Sequence, residues 1–296
     1  MRIVSLVPHA TELLFALGLG DQVVAVTHEC DHPTQALTRP RVTRDVLPSG
    51  LSASEIDAAV RERTERGESI YELDEPALRE LKPDLIVTQE LCAVCAVSYT
   101  DVAELARSLP SSPKVIALDP RTLGETMGDV RTIAQATGTR DAALALVARQ
   151  RTRIDAVRVA VKDAPRKSVV AIEWFDPVFV AGHWTPQLIE LAGGIDLLGF
   201  AGEHSETVSW EHVGAAAPEV VVCMPCGYDA PRALREAEGH LAELRATGAK
   251  TIVAVDAAAY FSRPGPRLVD GLELLAHVLH PGLAPKPSGH ALPVAV

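Results

Sequence analysis

Short runs rich in Val and Ile alternate along this chain with longer amphipathic stretches, and that alternation restricts the fold more than any other feature. RIVSLV, QVVAVT, LIVTQ and KVIAL stand in the first half, and KSVVAIEW, EVVVCM and KTIVAVD in the second. Each is short, and too continuously apolar for a strand with one wet face. They are expected to be buried parallel strands with helices covering both faces of a sheet. The intervening stretches predict helices over residues 11–17, stopped by Gly18 and Gly20, and over 52–66, where Ser52 and Glu55 have the spacing of a capping box. Further helices are expected over 76–81, 186–192, 210–216 and 231–247.

Between the two halves, residues 123–164 carry no strand signal and few helix breakers. Residues 139–161 form the clearest helix, with Leu144, Val147, Ile154, Val157 and Val161 placed on one stripe. At ~1.5 Å per residue such a helix exceeds ~30 Å, about the width of a small domain. The simplest expectation is an α/β protein with two sheet-and-helix lobes and parallel sheets: residues 1–122, a linking helical segment 123–164 with the long helix, and residues 165–296; a single doubly wound sheet with a long surface helix is the alternative. The Pro-, Gly- and Ala-rich tail from Pro281 is expected to be loosely attached.

With 296 residues and 47% hydrophobic content, the chain has ample material for a buried core. A formal net charge of -11 and the lack of a basic run argue against a nucleic-acid partner. No apolar stretch approaches the ~18 residues of a membrane span, so no membrane insertion is expected. The opening MRIVSLVPHATELL lacks the charged head, apolar stretch and cleavage site of an export signal. That favours a cytoplasmic protein over a periplasmic or extracellular one whose export signal has been removed, and five cysteines, an odd number, also suit a reducing compartment.

The cysteines share an address. Cys30 follows VVAVTHE, Cys92 and Cys95 follow DLIVTQEL, and Cys223 and Cys226 lie in EVVVCMPC. In a parallel α/β sheet the carboxyl ends of strands border the ligand crevice, so these thiols are candidates for chemistry. With His28 they form a candidate metal set of Cys30, Cys92, Cys95, Cys223 and Cys226. Zinc, an iron-sulfur cluster and a redox dithiol all remain open readings, beside the plain one in which a cysteine is a small buried hydrophobe. Aromatic content is only 4%, yet Trp174, Phe175, Phe179, Trp184, Tyr228, Tyr260 and Phe261 gather near predicted strand ends of the second half. Flat side chains of this kind can cover a planar, mostly apolar ligand. Arg263, before Pro264-Gly265-Pro266, offers a fork for a carboxylate or phosphate. There is no GxSxG, no dinucleotide fingerprint and no phosphate loop, so enzymatic activity has no positive support beyond the thiols.

The segments SLVPHATELLFALGLGDQVVAVT, ELKPDLIVTQ, WFDPVFVAGHWTPQLIELAGG and FSRPGPRLVDGLELLAHVLHP, taken in order, resemble the cobalamin and iron-chelate substrate-binding proteins of ABC importers. The resemblance covers nearly the whole chain. It implies two Rossmann-like lobes joined by one long helix, with the ligand held in the inter-lobe cleft. Carried onto this sequence, it implies contacts from Pro8, His9, His28, Glu29, Cys30, Cys92 and Cys95 in the first half. From the second half it implies Trp174, Phe175, His183, Trp184, Cys226, Tyr228, Phe261 and Arg263. The function expected is non-catalytic binding of a corrinoid or another metal chelate, with importer subunits as partners only if the protein is exported. The alternative is a cytoplasmic thiol protein using zinc, an iron-sulfur cluster or redox chemistry on the same scaffold.

Overall fold

The computed structural model describes residues 1–90, 99–284, 287 and 289–295. The fold is α/β and divides into two compact units: Met1–Pro120 with Glu125–Val147, and Arg121–Gly124 with Ala148–Val296.

In the first unit the strands are β1 (Ile3–Ser5), β2 (Val23–Ala25), β3 (Thr43–Asp45), β4 (Tyr71–Leu73), β5 (Leu85–Gln89) and β6 (Lys114–Leu118). The main sheet runs β2-β1-β5-β6 with every pairing parallel, and β3 and β4 form a separate antiparallel pair. The strand period of two sorts the side chains to opposite faces. Ile3, Val23, Leu85 and Val87 pack with Ala10, Leu13 and Leu14 of the helix Pro8–Ala16. Val4, Ala25 and Ile86 pack on the other side with Leu78, Val102 and Leu105. Both faces are thus dry, which is why the strands are apolar throughout. The helix Ala53–Glu65 starts at Ser52, and its capping box with Glu55 is formed as the sequence predicts.

The second unit contains β7 (Lys167–Phe175), β8 (Val178–Val180), β9 (Gly194–Asp196), β10 (Glu206–Thr207), β11 (Val220–Cys223), β12 (Thr251–Val255) and β13 (Ala291–Pro293). Their order is β10-β8-β7-β11-β12-β13, with β9 alongside β7. The central β7, β11 and β12 are parallel, while β8, β10 and β13 run antiparallel at the margins. Val170, Ile172, Val221, Cys223, Ile252 and Ala254 build the core on one face.

The helix Arg140–Val161 belongs to both units. Its 22 residues give a length of about 33 Å. It buries Ala143, Leu146, Gln150, Val157 and Val161, whereas Leu144, placed on the apolar stripe from sequence, is 60% exposed. Among the described residues no helix is long and apolar enough to cross a membrane.

Three further expectations change. The helix predicted over 231–247 is two helices, Ala230–Glu238 and Leu241–Ala246. They part at Gly239-His240, where glycine weakens helix continuation. The helix Leu268–Leu279 is not among the sequence expectations; eight of its residues are buried, and Asp270, Glu273 and His277, three and four residues apart, form its partly exposed polar side. The tail beyond Pro281 is not loose throughout, since Ala291–Pro293 pairs with β12 and the Val294 amide donates to Ile252 O at 2.9 Å. Proline is tolerated there because β13 is an edge strand.

Candidate functional site

In the first unit, the loop that leaves the carboxyl end of β2 carries Thr27, His28, Glu29 and Cys30. The guanidinium of Arg41 holds this loop by donating to Thr27 O at 2.8 Å, to His28 O and to Cys30 O at 3.4 Å. A short parallel bridge from Val26 to Arg41 sets the two segments side by side. His28 is partly exposed. Its backbone N–H donates to Thr43 Oγ1 at 3.1 Å, and its ring Nδ1 lies 2.7 Å from the same oxygen. The ring also rests against Tyr71, with centroids 5.3 Å apart, and the Tyr71 hydroxyl donates to Glu29 Oε1 at 3.1 Å. β3 and β4 therefore serve as a template that fixes one imidazole.

Cys30 lies deeper. It is 1% exposed, its sulfur 3.0 Å from Thr11 Oγ1 and 3.1 Å from Thr27 Oγ1, and Thr11 in turn donates to Ser5 Oγ at 2.8 Å. Pro8 is the first residue of the helix after β1, and His9, next to it, is 2% exposed. Cys92 and Cys95 lie outside the described residues.

In the second unit, Trp174 meets Tyr228 edge-on at 5.5 Å, and the Arg232 guanidinium sits 3.7 Å above the Tyr228 ring. Cys226 is exposed, and its amide donates to Glu173 O at 3.0 Å, prolonging the β7–β11 ladder. His183 has a positive φ of 52°, and its ring lies 5.1 Å from that of His204. Arg263 is partly buried in the turn after Phe261. Glu173 accepts a hydrogen bond from the Ser205 hydroxyl. Burial is the main reason its carboxyl is pushed up to about 7, against the pull of Ser205 and with Asp196 adding repulsion. Burial likewise raises Asp196, although the amides of Leu198 and Gly199 donate to it at 3.1 and 2.8 Å.

Several residues expected to contact ligand are core residues instead. Phe175 is 1% exposed and stacks on His240 at 5.1 Å, and Phe261 is 2% exposed. Trp184 is buried, its indole N–H donating to Phe261 O at 2.7 Å. Cys223 is wholly buried in hydrocarbon, which raises its thiol pKa strongly and favours the protonated form over the thiolate a metal requires. Its reading as a metal ligand is set aside. Among the described residues no three His, Cys, Asp or Glu side chains converge to hold a metal ion. Zinc and an iron-sulfur cluster therefore gain no support from Cys30, Cys223, Cys226 and His28. The residues that sequence reading missed are Arg41, Thr43 and Tyr71. They lie on strands of three residues or beside them, too short to show a period.

The family model described as "Periplasmic binding protein" matches residues 3–258. The vitamin B12-binding protein of Vibrio cholerae serotype O1 is 25% identical over 279 residues, spanning 92% of this chain and 86% of that one. Among solved structures, the periplasmic vitamin B12 binding protein BtuF of Vibrio cholerae aligns with a TM-score of 0.66 at 24% identity, covering 94% of this chain and 96% of its own. The periplasmic heme-binding protein BhuT, solved with two hemes, aligns with a TM-score of 0.69 at 24% identity, covering 96% and 99%. These likenesses overturn the cytoplasmic expectation, because the matched family and both structures are periplasmic. That expectation leaned on where the sequence begins, which does not report the compartment. A match over residues 3–258, through the sheets of both units, means that this chain belongs to the periplasmic binding protein family.

Proposed function

We propose that the protein binds, without catalysis, a corrinoid or another metal chelate of the tetrapyrrole class for delivery to an ABC importer. The ligand class follows the names of its relatives. The observation that carries the reading is the loop after β2, clamped by Arg41, which presents a fixed and partly exposed His28 where α/β sheets receive ligands. A tetrapyrrole brings its own four in-plane donors to the metal, so its protein needs no cage of three or four ligands. Recognition then rests on apolar cover and a few placed polar groups. Trp174, partly exposed against the buried Tyr228, supplies aromatic surface, while Pro8, His9, Glu29, Cys30, His183, Cys226 and Arg263 are the further candidate contacts.

The test is titration of the full chain with cyanocobalamin and, separately, ferric hemin, followed by tryptophan fluorescence and visible absorbance. Saturable binding of one of them, weakened by His28→Ala, is the expected result. If neither probe quenches fluorescence nor changes the melting temperature, the ligand class is wrong.

A further inference from the structure

The tautomer of His28 decides what this residue can offer a ligand, and its neighbours determine that tautomer. Thr43 Oγ1 has one proton to give and two lone pairs to receive with. One lone pair is taken by the His28 backbone N–H at 3.1 Å. The remaining contact is with Nδ1 at 2.7 Å. Thr43 is 9% exposed, and among the described residues Nδ1 is the acceptor in reach of its hydroxyl proton. Were Nδ1 the donor, that buried proton would be left without an acceptor, the more costly arrangement. With Thr43 donating, every polar group in the contact is satisfied. Nδ1 is then the acceptor, and the neutral ring must carry its proton on Nε2.

Resting on the reading of His28 as a ligand contact, we propose that Thr43 holds it as an Nε2–H donor, so that it recognises an acceptor oxygen on the rim of the chelate rather than ligating the metal. An imidazole with its proton on Nε2 and its Nδ1 lone pair taken by Thr43 has none left for a metal. It is suited to a carboxylate, an amide carbonyl or a phosphate oxygen. Tetrapyrroles carry such groups around the ring, heme as carboxylates and cobalamin as amides and a phosphate. The ring is held in place by Tyr71, and the backbone below it by Arg41. The donor therefore points along a fixed direction, as a specificity contact requires. This sets His28 apart from the metal-ligating role expected from sequence.

Two measurements decide the matter. The first is ring nitrogen NMR of the ligand-free full chain labelled with 15N-histidine, the His28 signals being assigned by their loss in His28→Gln. Protonated Nε2 with unprotonated Nδ1 is expected, and the reverse pattern overturns the proposal whatever ligand the protein takes. The second is titration of wild type, His28→Ala, His28→Gln, Thr43→Val and Thr43→Ser with ferric hemin and with cyanocobalamin, each variant checked for folding by circular dichroism. His28→Ala and Thr43→Val should each weaken the probe that binds by roughly tenfold. Gln, which keeps an N–H donor, and Ser, which keeps the hydroxyl, should restore most of the loss. The visible spectrum of the bound probe should be the same in all five proteins. A spectrum that changes with His28→Ala as an axial imidazole is lost would overturn the proposal, as would failure of Gln to rescue. If neither probe binds wild type, the tetrapyrrole reading has failed, and the NMR pattern still decides which ring nitrogen carries the proton.

Discussion

Cys30 and Cys223 both lie near the carboxyl end of a parallel strand, and both are buried, yet their surroundings could hardly differ more. Cys30 has two threonine hydroxyls within 3.1 Å. Cys223 is enclosed by Val170, Ile172, Val221 and their neighbours. The same contrast holds for the loops around them. In the first unit the strand ends finish in a polar lattice of Arg41, Thr43, Tyr71 and Glu29, which orients an imidazole. In the second unit much of the same address is filled by the buried rings of Phe175, Phe261 and Trp184, with Glu173 a partly buried acid beside Ser205. Topology assigns the address, and the environment decides whether a side chain there is chemistry or packing.

The sharpest way to break this contrast is Phe175→Ala. As a core ring it should destabilise the second unit by about 3–5 kcal/mol, measured by urea unfolding, with the proposed ligand binding retained at low temperature. A variant with unchanged stability and lost binding would return Phe175 to the ligand contacts.

Glu173 provides the next largest effect. Its folded pKa of about 7 lies above the ordinary 4.5, so in the window between them the native state holds a proton that the unfolded chain has released. Stability is then full below about pH 4.5, falls as pH rises toward 7, and levels off above, a loss on the order of 3 kcal/mol. Glu173→Gln should reduce that slope in thermal melts run across this range, leaving the part that belongs to Asp196 and to Asp129, whose carboxyls burial also raises, the latter to about 7. A slope unchanged by the substitution would mean that Glu173 does not carry it.

Serine substitutions compare the two thiols directly and should give the smallest effects. Cys223→Ser places a hydroxyl in hydrocarbon and should cost about 1–3 kcal/mol. Cys30→Ser puts it between two hydroxyls and should cost less than about 1 kcal/mol. Equal losses in chemical denaturation would erase the distinction drawn between the two sites.

The strand framework was legible because burial on both faces leaves a strong mark: LIVTQ and KVIAL became β5 and β6 with the bounds the residues suggest. The Ser52 cap was legible for a local reason, since both partners lie within one turn. The site was harder to read. His28 stood out as a polar residue after a strand, but Thr43 and Tyr71, which decide its use, come from sequence positions 15 and 43 residues away and belong to strands of only three residues. The cysteines misled for a related reason. Sequence shows where a thiol falls along a strand, but not whether its neighbours are hydroxyls or methyl groups. Aromatic clustering misled likewise, because Phe175, next to Trp174 in sequence, turns into the core beside Trp210 and His240.

The closing strand β13 has a practical side. It shields the outer margin of β12, where the ladder from Val253 to Val255 would otherwise face solvent. A chain trimmed to end near Pro281, or extended by a bulky tag that pulls β13 away, would bare a flat Val-rich ribbon able to pair with a second molecule. Handling of this protein should therefore leave β13 intact and place any fusion at the amino end.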